Sequence, residues 1–268
     1  MADETRESAP SAEADLDIFG KPPAKHRDWS HRRREPRGLA LAWTVYLMLA
    51  TIVALVPMVL SGQLSGDVYR PSARVMVVLV TVGLTVLWPV LRVSQAPQGA
   101  RPVLDVVRDL GVLWLPAMVL LWPQSVLAGW PVRVVGAASV VLIVWGLVSG
   151  AGLMIWHRHS RGGFAGRLVL TTFCVGIAGV IPLVLATAGV LSLDAPASLP
   201  SAGWVWSPVT GVWEMLRERP WSGMPAAVSG AHWSVLRLQL LISGGVFFVS
   251  AIVCRGKPRG VDSPADRR

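Results

Sequence analysis

Six long apolar segments, separated by short charged stretches, constrain this sequence more than any other feature. The hydrocarbon core of a bilayer is about 30 Å thick, and a helix that rises 1.5 Å per residue crosses it in roughly 20 apolar residues. A helix also satisfies its own backbone hydrogen bonds, as lipid requires. The sequence therefore predicts an all-α polytopic membrane helix bundle with transmembrane helices at about 39–61, 75–91, 110–127, 134–156, 168–191 and 235–254.

The distribution of charge supports this fold class. Only 15% of the residues are charged and the mean hydropathy is +0.52, whereas a soluble domain carries roughly a quarter charged residues. Most of the charge lies at the two ends of the chain. We predict that 1–38 is a cytoplasmic tail, acidic and then basic and largely disordered, and that 255–268 is a basic cytoplasmic tail.

The basic residues also predict the orientation. With both termini inside, 19 of the 25 Lys and Arg residues fall on the cytoplasmic side and six on the other, as the positive-inside rule requires. Arginine outnumbers lysine 22 to 3, which indicates a GC-rich genome. We therefore expect a multi-pass protein of the bacterial cytoplasmic (inner) membrane. No basic stripe lies on a soluble module, so nucleic acid is not an expected partner.

Two regions are candidates for contact with lipid or with other proteins. The first is the basic stretch before the first helix, which includes Arg32, Arg33 and Arg34 and would lie beside anionic headgroups or simply fix the orientation. The second is an outer, Trp-rich loop at 192–234. Its candidate interface residues are Trp204, Trp206, Trp213 and Trp221.

A short amphipathic helix at about 208–219 is predicted inside this loop. Ser207 and Pro208 form a helix start, with serine as N-cap and proline at the first helical position. The apolar face would carry Val209, Val212, Trp213 and Leu216, and the polar face Thr210, Glu214, Arg217 and Glu218. We expect this helix to lie on or dip into the outer leaflet, although a plain loop anchored by its tryptophans is the alternative.

The fourth helix contains Gly146-x-x-x-Gly150. Small residues at this spacing allow two helices to approach closely. We predict that Gly146 and Gly150 are helix-packing positions, either within the bundle or against another subunit.

The sequence lacks the groups that most membrane chemistry needs. The centres of the six predicted helices contain no ionisable residue, which argues against proton- or sodium-coupled transport. Asp105 and Asp109 lie at the cytoplasmic entrance of the third helix and Arg237 at the outer entrance of the sixth, where each can reach water. All five histidines, including His157 and His159, lie outside the predicted helices, so no haem site is expected. We predict no catalytic, cofactor or metal-binding residues, and no enzyme activity.

The layout resembles the membrane permease subunit of bacterial ATP-binding-cassette exporters. The basic stretch 21–37, the cytoplasmic segment 94–109 after the second helix and the outer helix 208–219 are the three parts that carry this resemblance. It implies a dimeric permease that is driven by a separate ATPase subunit. The acidic extreme N-terminus and the many prolines depart from that layout. The chain has no G-x-x-x-x-G-K-[ST] phosphate loop, so it is not itself the ATPase.

A second function class fits the same features. The chain would then be a non-enzymatic membrane scaffold or an accessory subunit of a larger membrane complex, with its tails and the Trp-rich loop as contact surfaces. Membrane lipids are expected partners in both cases. A homo-oligomer, an ATPase subunit and other membrane subunits remain open as protein partners.

Overall fold

All regular structure in the described residues is helical. The computed structural model describes residues 37–62, 65–94, 102–159, 164–180, 202–218 and 226–255. The helices are α1 (Arg37–Ser61), α2 (Gly66–Ser94), α3 (Pro102–Leu121), the one-turn α4 (Gln124–Leu127), α5 (Val132–His159), α6 (Phe164–Val175), α7 (Pro208–Met215) and α8 (Gly230–Arg255). A 3₁₀ helix at Ala202–Trp206 precedes α7, and π-helical turns lie at Gly83–Leu87 and Gly176–Val180.

Five of these segments are long and apolar enough to cross a membrane: α1, α2, α3 together with α4, α5, and α8. The predicted fold class is confirmed, and the chain is a multi-pass membrane protein. The fifth predicted span begins within α6 and the π turn that follows it, and its remainder, 181–191, lies outside the described residues. Residues 1–36 and 256–268, which include most of both predicted tails, also lie outside them.

Contacts between helix ends show that successive long helices run antiparallel. We call the end of the bundle where α1 begins the near end, and the end where α1 finishes the far end. Arg92 of α2 pairs with Asp109 of α3 towards the near end, while Arg70 of α2 donates to the Ala128 carbonyl at the far end. Arg158, near the end of α5, donates to the Val253 carbonyl, near the end of α8, so these two helices run parallel and both finish at the near end.

Helix α5 is the centre of the bundle. It packs against α2, α3, α6, α7 and α8. In the apolar 18-residue stretch of α5, 67% of the residues are buried, compared with 22% in the corresponding stretch of α8. The faces of α1 and α8 that point away from the bundle expose large apolar side chains, among them Leu41, Ile52, Leu241 and Phe248. Lipid is the solvent in which such faces are stable.

The long helices extend beyond the predicted spans. Helix α2 begins at Gly66 rather than near 75, and so includes Asp67, Arg70 and Arg74 in its first turns. The prediction stopped at the first charged residue, but a helix can continue past the hydrocarbon core. The turns outside the core, here the first turns of α2, can carry charges that reach water or other protein groups.

Candidate functional site

The most strongly polar contact inside the bundle is a buried ion pair that joins α2 to α3. The Arg92 Nε and Nη2 groups donate to the two carboxylate oxygens of Asp109, one to each. Trp88 Nε1, one turn earlier on α2, donates to Asp109 Oδ2 at 3.2 Å. The side chains of Arg92 and Asp109 are only 14% and 5% exposed. We call Trp88, Arg92 and Asp109 the near-end clasp.

The burial of Asp109 corrects the expectation that this carboxylate reaches water. Asp109 lies two turns into α3, where the antiparallel α2 covers it. An isolated charge at this depth would cost several kcal/mol, but three donors from α2 compensate the carboxylate. Trp88 and Arg92 both reach it because residues four apart lie on one face of a helix.

A π-helical turn immediately precedes the clasp. It spans Gly83–Leu87 and ends at Trp88. At its start, the stacked rings of Trp43 and Tyr46 from α1 press against Gly83, where a Cβ would lie 2.3 Å from Tyr46 Cε1. The Tyr46 hydroxyl donates to the Leu79 carbonyl at 2.6 Å. A π turn holds one more residue than an α turn and therefore sets the direction in which Trp88 and Arg92 point.

Two further titratable groups, His157 of α5 and Asp105 of α3, lie next to the clasp. His157 of α5 is half-buried and interacts electrostatically with Asp105, Arg92 and Asp109. Its ring packs edge-on against Trp156, with ring centroids 4.9 Å apart. Within the described residues, no group of three His, Cys, Asp or Glu side chains is placed to hold a metal ion. The arrangement therefore joins helices; it does not assemble a metal centre from these residues.

A second polar cluster closes the far end. We call it the far-end cap, formed by the 3₁₀ helix and α7 together with the α2 residues Arg70 and Arg74. The Arg74 guanidinium lies 5.0 Å from the centre of the Trp213 ring, and its Nε donates to the Leu216 carbonyl at 3.1 Å. Arg70 Nε lies 3.0 Å from the Ala128 carbonyl oxygen and 3.3 Å from Glu218 Oε1.

The cap is also attached to α8 and to itself. Gln239 Nε2 of α8 donates to the Val205 carbonyl in the 3₁₀ helix at 2.9 Å. The Thr210 hydroxyl of α7 donates to the Trp204 carbonyl at 2.8 Å. These contacts seat the cap on three long helices, since α7 also packs against α2 and α5.

Helix α7 occurs where the sequence predicted a helix, but the predicted faces are partly wrong. Val212 and Leu216 are buried as expected, whereas Trp213, assigned to the apolar face, is 41% exposed and Glu214, assigned to the polar face, is buried. The prediction assumed that a carboxylate must face water. Here Arg217 lies within 4.0 Å of Glu214 and Arg74 interacts with it electrostatically, so burial is compensated.

The position of α7 also differs from the prediction. It ends at Met215, and position 219 lies outside the described residues. Val212 and Met215 are buried against the bundle, with α2 and α5 as packing partners, whereas Trp213 stays partly exposed. Bundle side chains that are distant in sequence decide this packing, and an amphipathic pattern alone does not reveal them.

The remaining predicted contact residues are spread over the molecule. Trp204 is half-buried and Trp206 is 43% exposed, both in the 3₁₀ helix of the cap. Trp221 and the run Arg32, Arg33 and Arg34 lie outside the described residues.

Gly146 and Gly150 lie at packing contacts within the bundle. A Cβ at Gly146 would lie 3.1 Å from Leu110 of α3. At Gly150 it would lie 2.9 Å from Val106 of α3 and 3.3 Å from Phe247 of α8. The side of α5 that carries both glycines therefore lets α3 approach closely, as small residues do between membrane helices.

The near-end clasp was not predicted, because spacing along the chain does not relate its members to one another. Arg92 directly follows the second predicted span, and Asp109 directly precedes the third. Opposite charges at the adjoining ends of two consecutive antiparallel spans are the signal that would have paired them.

The fold alone defines the class of this protein. The chain matches no protein-family model, no curated protein and no solved structure. It is a multi-pass, all-α membrane protein, and the ion pairs among its described residues lie at the two ends of the bundle.

Proposed function

We propose that this chain is the permease-like membrane subunit of an ATP-driven transporter in the bacterial inner membrane, with both termini in the cytoplasm. The observation that carries the proposal is that one helix, α2, holds both polar clusters. Trp88 and Arg92 of α2 form the near-end clasp, and Arg70 and Arg74 of the same helix hold the far-end cap.

This arrangement supports mechanical coupling across the membrane. Arg70 and Arg92 are 22 residues apart, which corresponds to about 33 Å along a helix and so to the thickness of the hydrocarbon core. Ser94 and Pro102, the described residues on either side of the connection 95–101, follow Arg92 by two residues and precede Asp109 by seven, and in the proposed orientation they face the cytoplasm. A force applied there by a partner would move α2 and α3 together, and α2 would carry the motion to the cap.

The absence of charge in the middle of the bundle agrees with an external energy source. Between positions 75–91, 110–127, 134–156 and 238–254, all within the described residues, the sequence contains no Asp, Glu, Lys, Arg or His. Ion-coupled carriers need such groups along the ion pathway. In this proposal the energy comes from ATP. The nucleotide would bind to a separate ATPase partner, since this sequence has no G-x-x-x-x-G-K-[ST] phosphate loop.

Purification in mild detergent tests the proposal. The full chain should co-purify with a nucleotide-binding protein, and its presence should change the rate at which that partner hydrolyses ATP. The variant R92L/D109L removes the clasp without leaving a buried charge, so it should fold, bind the partner and lose the change in rate. R108L is the control, because Arg108 is exposed and lies next to Asp109 on α3. Repeated recovery of the intact chain without any ATPase would reject the proposal.

Cysteine labelling tests the proposed orientation. Ser65 at the far end and Ser94 at the near end are exposed. The native Cys174 and Cys254 are buried, which keeps background labelling low. A membrane-impermeant maleimide should label S65C from outside the cell and S94C only after the membrane is opened. The reverse pattern would overturn the orientation.

A second candidate is a non-enzymatic scaffold or accessory subunit of a larger membrane complex. The partly exposed Trp206 and Trp213 favour it, since both lie on the far-end cap and exposed tryptophans are frequent anchors of protein interfaces. The same purification distinguishes the two candidates. A scaffold should bring down other membrane subunits, and its partners should not depend on ATP.

A further inference from the structure

We propose that Arg237 on the outer face of α8 binds the phosphate headgroup of an anionic phospholipid in the leaflet at the far end. Arg237 is exposed and lies seven residues after the first residue of α8, Gly230. No ion pair joins it to any carboxylate in the part of the chain that the structure describes. This inference does not depend on the proposed transport function.

The length of α8 places Arg237 close to the boundary between headgroups and hydrocarbon. It lies about 10 Å along the helix axis from Gly230, at a rise of 1.5 Å per residue. Trp233, one turn nearer the helix start, is half-buried and of the type that lies at headgroup level. Helix α8 has 26 residues, about 39 Å, so it exceeds a hydrocarbon core of about 30 Å only slightly at each end. The Arg237 Cα therefore lies just inside the hydrocarbon, and its long side chain extends towards the headgroups.

The surface of α8 that follows Arg237 towards the near end is apolar. The site therefore offers a cation for a headgroup and an apolar surface for an acyl chain. Leu241 and Phe248, four and eleven residues further on, lie on the same side of the helix and are 75% and 65% exposed. Gly245 lies between them in sequence, and a Cβ there would meet nothing within 4 Å. A cation above an open apolar strip complements an anionic headgroup above an acyl chain.

The other described cations at the far end differ from Arg237. Arg70 and Arg74 contact carbonyls of the protein, and Arg217 lies beside Glu214. Arg133 is exposed, but it is the second residue of α5 and so lies at the very end of its helix. Arg237 alone among these combines exposure, membrane depth and the lack of a described carboxylate partner. Phosphodiester oxygens satisfy an arginine at that position.

Native mass spectrometry of the full chain, released from detergent and titrated with phosphatidylglycerol or phosphatidylcholine, tests the proposal. The unmodified chain should retain phosphatidylglycerol in preference to phosphatidylcholine. R237L should weaken phosphatidylglycerol binding by roughly fivefold, which is the equivalent of the about 1 kcal/mol that a basic residue gains near anionic lipid. It should leave phosphatidylcholine binding unchanged. R237K should keep most of the preference, and the control R133L should keep all of it.

Three results would overturn the proposal. One is a preference for phosphatidylglycerol that R237L leaves intact or that R133L reduces equally. Another is displacement of the lipid by glycerophosphoglycerol, which has the phosphodiester without acyl chains and would indicate a site for a free anion. The third is a dimer mass for the unmodified chain that R237L converts to a monomer, because Arg237 would then pair with a second copy of the chain.

Discussion

The near-end clasp and the far-end cap use cations from the same helix in opposite ways. At the near end, Arg92 meets one carboxylate, Asp109, in a contact almost completely removed from solvent. At the far end, Arg70 and Arg74 divide their contacts among carbonyls, an aromatic ring and the partly exposed Glu218. The donors of the clasp converge on one carboxylate that is nearly removed from solvent, whereas the contacts of Arg70 and Arg74 are spread over several partners, so the cap should tolerate the loss of any one of them.

The largest effect should come from breaking the clasp on one side only. D109A leaves the Arg92 guanidinium buried without its carboxylate, and we expect the free energy of unfolding to fall by about 3–5 kcal/mol. Thermal unfolding followed with a thiol-reactive dye measures this, because Cys174 and Cys254 are buried until the bundle opens. The half-buried neighbour Asp105 provides the control, and D105A should cost much less. Equal losses for the two variants would contradict the special status of Asp109.

A smaller loss should follow from a change in α2 between the two clusters. G83A places a methyl group against the rings of Trp43 and Tyr46, and overpacking of this kind costs about 1–3 kcal/mol. G111A is the matched control, because a Cβ at Gly111 meets nothing within 4 Å. The same unfolding assay should show G111A at or above the stability of the unmodified chain. A stable G83A protein would mean that α1 does not hold the π turn.

At the far end, R74M should lower the free energy of unfolding by about 1–2 kcal/mol. It removes the hydrogen bond to the Leu216 carbonyl and the cation–π contact with Trp213 while keeping an apolar stem of similar length. Tryptophan fluorescence during unfolding in mixed micelles would measure the loss, and R74K should recover part of it. A loss as large as that of D109A would remove the distinction between the two ends.

The smallest effect is expected for E218Q. Its ion pair with Arg70 spans 3.3 Å between side chains that are 37% and 23% exposed, and pairs of this kind contribute less than about 1 kcal/mol. Added salt should reduce the difference between E218Q and the unmodified chain further. A difference that is large and independent of salt would show that the cap is as desolvated as the clasp.

The sequence predicted the helices well because lipid imposes a simple rule. Apolar runs of sufficient length identified all five of the described segments that can cross a membrane. The rule failed at helix ends, since Asp67, Arg70 and Arg74 appeared to lie before the second span and in fact belong to α2.

His232 is a similar case. It was placed outside the spans but lies in the first turn of α8, where the Ser229 N–H donates to its Nδ1 at 3.0 Å. A serine followed three residues later by a polar acceptor is a capping pattern that the sequence does display.

The candidate site was less predictable than the fold. The pairing of Arg92 with Asp109 depends on which helices become neighbours, and so does the contact between Arg74 and the Trp213 ring, which are far apart in sequence. The close approach at Gly146 and Gly150 could be anticipated from their spacing, but the partner helix could not. Long-range packing selects these contacts from many that the composition allows.

A double-mutant cycle on Arg92 and Asp109, measured in mixed micelles beside the same cycle on Arg70 and Glu218, tests the contrast between the two ends most directly. The cycle compares R92L, D109L and R92L/D109L with the unmodified chain. We predict that R92L/D109L is close to the unmodified chain in stability while each single variant is strongly destabilised, so that the coupling energy is at least about 3 kcal/mol at the near end and less than about 1 kcal/mol at the far end. Coupling energies of equal size at both ends, or a near-end value close to zero, would contradict the account.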